Sequence, residues 1–253
     1  MNVQYLSGLE LLKRDPDWTK KVALCGVLFL SAMCIPFVGQ LVIGGWLATM
    51  IQRTARGQED VLPRLDFDMD YLMKLCGIGF RALVVQFVWG LCFMPIIIVC
   101  YACIGGGAYL GAQLESGLIS GLLAGIGGLV MIASMVPFML VAQCGGLRAQ
   151  LANDISTGLQ FGSAIRMAKA MWKELLLGGI VLTFVFFGLY LAGIIACGIG
   201  VLFTIPIAMV IMANYHAHVY REYVARGGEA VNIFHLREAD PLGSSVGPRP
   251  QAF

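Results

Sequence analysis

Three groups of residues in this 253-residue chain have types and spacing that chemistry could use. The first, Asp66-Phe67-Asp68-Met69-Asp70, opens like the calcium loop of an EF-hand. That loop needs Gly at its sixth position and Glu at its twelfth, where this chain has Tyr71 and Gly77. A better account places the carboxylates ahead of a helix starting near Leu75, where they meet the positive end of its dipole. The second group is Cys100-x-x-Cys103, the spacing of a redox or metal pair. With no second pair and no flanking His, these thiols read as small apolar side chains, as do Cys25, Cys92 and Cys197, which also fall inside apolar runs. The third group is near the end of the last apolar run. His216 and His218 are two apart and point to opposite sides of a helix, so one metal ion cannot take both. Asn214, His218 and Glu222, four apart in turn, form one polar stripe. The stripe suits a cavity mouth or a proton path, but the preferred reading is the wet end of a helix leaving a membrane. No nucleophile elbow, P-loop, HExxH or dinucleotide fingerprint occurs. The sequence therefore points to no catalytic, cofactor-binding or metal-ligating residue, and to a protein that is not an enzyme.

What must position these residues is a bilayer. Only 13% of residues are charged while 58% are AVILMFWYC, and a soluble domain carries about a quarter charged residues. Those proportions exclude a water-soluble enzyme, a nucleic-acid binder and a disordered chain. The first twenty residues are too polar for a cleavable signal peptide. The apolar runs are Val22–Ile51, Gly77–Gly107, Leu118–Ala142 and Leu175–Ala213. A span takes roughly 17–25 residues, so the second and third runs make one span each and the fourth makes two. The first run is ambiguous, being either one tilted helix or a hairpin broken at Ile35-Pro36.

Charge resolves it. All 17 Lys and Arg fall before the first run, after it, between the third and fourth, or after the last. A hairpin in the first run puts every one of them on a single face, which the positive-inside rule assigns to the cytoplasm. Of the 15 acidic residues, only Glu115 is expected on the other side. The expected fold is all-α: an integral membrane six-helix bundle of three consecutive helical hairpins, with amphipathic interfacial segments on the cytoplasmic side. Residues 1–227 form a single transmembrane domain, with hairpins at about 18–57, 75–158 and 172–227. Both termini are cytoplasmic. Residues 228–253 form a cytoplasmic, largely disordered tail. Val3–Arg14 reads as an interfacial helix lying on the cytoplasmic leaflet.

An internal repeat leads to the same plan. Pro36 and Gly57, Pro137 and Gly158, and Pro206 and Gly227 are each separated by 21 positions, with Gln52, Asn153 and Glu222 sixteen after the proline. Gly44-Gly45 and Gly145-Gly146 add a shared pair in the first two units. Each landmark glycine is expected to end its returning helix as a C-cap. Gly117, Gly121, Gly125 and Gly128 form a small-residue line that predicts close packing against another helix, within the chain or in a homodimer. At hydrocarbon depth only Gln40 and Gln86 stand out as polar, with no clear ionisable residue, which argues against proton-coupled transport.

Asp15-Pro16-Asp17-Trp18 followed by Lys20-Lys21, then Ile35-Pro36-x-x-Gly39, then Arg56-Gly57 with an acidic residue and Leu62-Pro63 resembles an uncharacterised prokaryotic polytopic membrane family, a domain of unknown function. The plan is loosely similar to the membrane domain attached to some glycerophosphodiesterases, whose catalytic domain has no counterpart here. The resemblance implies six helices in the prokaryotic cytoplasmic (inner) membrane and no residue roles. The expected function is a non-enzymatic scaffold, assembly or accessory subunit. The alternative is a channel or transporter for a small uncharged or lipid-like solute. The lipid bilayer is the first partner, a further copy or another membrane protein the second, and no nucleic acid or cofactor is expected.

Overall fold

A computed structural model describes residues 7–34, 37–58, 62–113, 117–196 and 198–236. Among the described residues the chain is helical: α1 Ser7–Arg14, α2 Trp18–Cys34, α3 Val38–Ala55, α4 Met69–Gln113, α5 Gly117–Ala152, α6 Ile155–Gly158, α7 Phe161–Ala170, α8 Trp172–Ile195 and α9 Val201–Ala225. Four stretches are long and apolar enough to cross a membrane: Met69–Gly106 in α4, Ala124–Ala152 in α5, α8 and α9. The shorter α2 and α3, at 17 and 18 residues, are not among them. Consecutive long helices pack on each other as α2 with α3, α4 with α5, and α8 with α9. Helix α3 is the hub, touching α2, α4, α5 and α9, and twelve of its residues from Gly39 to Thr54 are buried.

Glycine allows that crowding. A Cβ added to Gly45 would run into the Leu75 carbonyl of α4, and one added to Gly79 of α4 would run into the Leu41 carbonyl of α3. Without side chains at these two positions the backbones of α3 and α4 touch, as small residues permit between membrane helices.

Burial is lopsided. The end where α3, α5 and α9 finish and α4 and α8 begin holds Trp46, Met50, Leu75, Leu151, Met167 and Tyr215 at 2% exposure or less. The opposite end of α4 and α5 exposes Ile98, Val99, Leu122, Leu129 and Val130. Apolar surface on this scale suits lipid rather than water. At about 1.5 Å per residue, α4 runs roughly 67 Å, more than twice the roughly 30 Å of a bilayer core.

Several expectations shift. Helix α4 runs past the end of the apolar run at Gly107 and continues through Gln113, with Gly127 of α5 against Ile104. Residues 114–116, including Glu115, lie outside the described residues, as does Pro36. Pro137 and Pro206 sit inside α5 and α9. Gly57 and Gly227 adopt the left-handed conformation just past α3 and α9, with φ of 80° and 83°, as a C-cap glycine should. Gly158 does not end its returning helix. Helix α5 stops at Ala152, where Asn153 turns left-handed with φ 52°. Asn tolerates that conformation through its short polar side chain, and Gly158 instead closes the short α6.

The acidic segment before α4 acts as a cap. Asp68 accepts from the backbone N–H of Asp70 at 3.1 Å and of Tyr71 at 3.5 Å. Arg64 pairs with Asp66 at 2.5 Å and with Asp68 at 3.4 Å, and the Asp66 contact holds the guanidinium pKa above its ordinary value.

The predicted tail begins too early. Residues 228–236 have no regular secondary structure but are tied to the body: Phe234 N–H donates to the Leu151 carbonyl at 2.8 Å, and Val231 N–H donates to the Tyr220 hydroxyl at 2.8 Å. Two of the segment's backbone N–H groups thus find acceptors on α5 and α9. Residues 237–253 lie outside the described residues.

Candidate functional site

The polar residues of the buried end fall into a clasp, a belt and a stripe. The clasp centres on Asp15, which is 1% exposed. Its carboxylate accepts from Lys21 Nζ at 2.6 Å, from Leu62 N–H at 2.9 Å and from Asp17 N–H at 2.8 Å. Lys21 also donates to the Leu62 carbonyl at 2.9 Å, and Trp46 Nε1 donates to the Pro63 carbonyl at 3.2 Å. The Asp15–Lys21 and Leu62-Pro63 segments therefore meet in space and tie the start of α2 to the α3–α4 connection. Their role is to hold helices.

The belt joins helix ends. Gln52 donates from α3 to the Gln150 carbonyl on α5 at 2.5 Å, and Arg81 from α4 to the Asn153 carbonyl at 3.4 Å. Trp89 Nε1 donates to the Gly158 carbonyl at 3.2 Å. Asp154 caps α6, accepting from Ser156 N–H at 3.4 Å and Thr157 N–H at 3.0 Å and from both hydroxyls. These bonds, that of the Ser156 hydroxyl foremost, hold its carboxyl pKa down to about 2. A depressed carboxyl stabilises the fold above the ordinary pKa near 4 and loses that contribution as pH falls through about 2. In unfolding measurements, the stability gap between wild type and Asp154→Ala should stay constant from pH 7 to about 5 and close between about 4 and 2. A gap that widens on acidification would contradict the cap.

The stripe is dry at Asn214. Asn214 is 2% exposed and donates to the Ser7 hydroxyl of α1 at 2.8 Å. Helix α1 lies against α9, where a Cβ on Gly8 would meet Ile211 Cα at 2.6 Å, and Leu11 and Leu12 are buried. His218 is half-buried. Glu222 pairs with Arg226 at 3.1 Å, and Arg226 reaches Glu174 at 2.6 Å. Asn214 and Glu222 thus serve separate contacts. Among the described residues no three of His, Cys, Asp and Glu gather as a metal site would need.

Gln40 and Gln86 do share a site. They line one cleft of about 130 Å³ between α3 and α4, with Gly44 and Gly79 among its other walls. Asn214 is not part of it. A second cavity of about 360 Å³ between α8 and α9 is lined by aromatic and aliphatic side chains with Thr204. Of the glycine line, Gly121, Gly125 and Gly128 face no described atom within 4 Å of an added Cβ; the intrachain contact falls on Gly127. The side-chain environment of Gly117 is outside the description.

The family model described as protein of unknown function (DUF4013) matches residues 28–198. That stretch runs from within α2 past the end of α8, and so includes the α3–α4 lock, the cleft and the belt. No curated protein and no solved structure matches the chain.

Proposed function

The chain belongs to the DUF4013 family, and from that premise we propose that it is a non-enzymatic scaffold or accessory protein of a prokaryotic cytoplasmic membrane. It has six spans in three hairpins and both termini in the cytoplasm. One observation carries the reading: a densely locked end is joined to a long α4/α5 hairpin whose exposed apolar residues and open Gly121, Gly125 and Gly128 face leave room for another helix. Small-residue lines of this kind admit a second backbone. The occupant is a further copy or another membrane protein.

The test is retention. Wild-type protein purified in mild detergent should carry a defined partner or further copies of itself, and Gly121→Leu with Gly125→Leu should lose them while staying folded. An unchanged assembly would remove the basis of the reading. A channel or transporter for a small uncharged or lipid-like solute is the second reading, favoured by Gln40 and Gln86 lining one cleft; solute flux into liposomes that Gln86→Leu abolishes would select it.

Topology has its own check. In a cysteine-free background, Ser116→Cys and Ser156→Cys should label from opposite sides of sealed vesicles. Labelling of both from one side would sink the hairpin plan.

A further inference from the structure

The charged groups around the start of α7 are not used by the scaffold reading. Arg148, near the end of α5, is 2% exposed. Its Nη2 lies 3.3 Å from Gln160 Oε1 and 3.6 Å from Glu229 Oε1, and its Nε and Nη1 are buried without a partner. A buried guanidinium held by one distant carboxylate is costly for a fold to keep. Arg166 approaches the same carboxylate, with Nη2 3.0 Å from Glu229 Oε2, and also donates to Ser163 Oγ at 2.9 Å. Glu229 is half exposed and comes from the 228–236 segment.

These groups surround a helix start. Helix α7 has ten residues, begins at Phe161 and has no side-chain cap from Gln160. Its first N–H groups lack helical partners, the arrangement that attracts oxyanions. Gly162 keeps the first turn open, since a Cβ there would meet only Arg166 Nη1, at 3.6 Å. Phe161 and Ile165, both exposed, place apolar surface beside the site.

We propose that Arg148, Arg166, Ser163 and the N-terminus of α7 form a phosphate-binding site that the Glu229 carboxylate plugs in this structure. The ligand is a phosphate oxyanion, free or in an ester, which accepts several N–H donors at once where a carboxylate reaches fewer. Its source is either a free phosphate or the headgroup of an anionic phospholipid. Binding displaces Glu229 and loosens the strap, which Val231 and Phe234 otherwise hold to Tyr220 and Leu151. The site is independent of the scaffold reading and stands or falls apart from it.

The experiment uses the full chain in detergent and in nanodiscs. Inorganic phosphate is titrated against sodium chloride of matched ionic strength. Separately, phosphatidylcholine nanodiscs with and without phosphatidylglycerol are compared. The readouts are the thermal midpoint and the fluorescence of Trp89, whose ring packs 4.5 Å from that of Phe161. Removing the plug with Glu229→Gln should tighten binding about tenfold, a difference of about 1.4 kcal/mol. Arg166→Gln, at an exposed position, should weaken it by a similar factor without unfolding the chain, and Arg148→Gln should abolish it. A response to inorganic phosphate identifies a free ligand, and a response confined to phosphatidylglycerol identifies a headgroup. Absence of both in the wild type and in Glu229→Gln overturns the proposal, as does a response that chloride reproduces or Arg166→Gln leaves intact.

Discussion

Gly79→Leu is expected to separate α3 from α4 and cost the protein about 3 kcal/mol or more, the upper end for overpacking. The reason is what the added atoms would strike. A flexible neighbour could move aside, but the first obstacle at Gly79 is the Leu41 carbonyl, with the Gly45 amide nitrogen close behind at 2.9 Å. Both are backbone atoms of α3, a helix most of whose residues are buried. Gly45→Val should act alike from the other partner, through the Leu75 carbonyl. Thermal unfolding in detergent should show a midpoint lowered by roughly 6–12 °C for a chain of this size. Gly90→Ala on the same α4 helix is the control, since a Cβ there meets nothing within 4 Å. Equal midpoints for Gly79→Leu and Gly90→Ala would show that the two helices do not touch as described.

The second large effect belongs to the clasp. Asp15→Ala removes one member of a buried ion pair and leaves Lys21, whose side chain is 14% exposed, without its carboxylate. Breaking such a pair from one side costs about 3–5 kcal/mol, and Leu62 N–H loses its acceptor as well. The partial exposure of Lys21 places the expected loss near the lower bound, about 3 kcal/mol. Asp17→Ala, two residues on, breaks only the exposed contact with Lys20 and should barely move stability. A double-mutant cycle with Lys21→Met separates the pair from its surroundings. If Asp15→Ala loses less in the Lys21→Met background than alone, the difference measures the coupling; additivity would show that the two side chains act separately.

Much of this architecture is legible in the sequence, because charge and apolar run length act over whole segments. The helical fold and its four long apolar stretches follow from such patterns. Contacts between distant positions are less accessible. Gly44-Gly45 stands out as a repeated pair, yet nothing local says that Gly79 is what Gly45 needs opposite it. The line at Gly121, Gly125 and Gly128 shows which face is small but not what faces it, and the intrachain contact uses Gly127. Spacing alone selects Gly158 as a helix end because it is a glycine, whereas Asn153 five residues earlier takes the left-handed turn. Asn214 lies in a stripe that reads as wet because its partner, Ser7, comes from the other end of the chain. Residues 228–236 have a loop-like composition, and their order depends on acceptors and donors supplied by Leu151, Tyr220 and Arg166.

The contact of α1 with α9 joins segments that are far apart in the chain. Helix α1, with its buried Leu11 and Leu12, packs against α9, and the bond from Asn214 to Ser7 links positions 207 apart. That contact closes only after both helices have been made, so α1 is synthesised well before the surface that buries it.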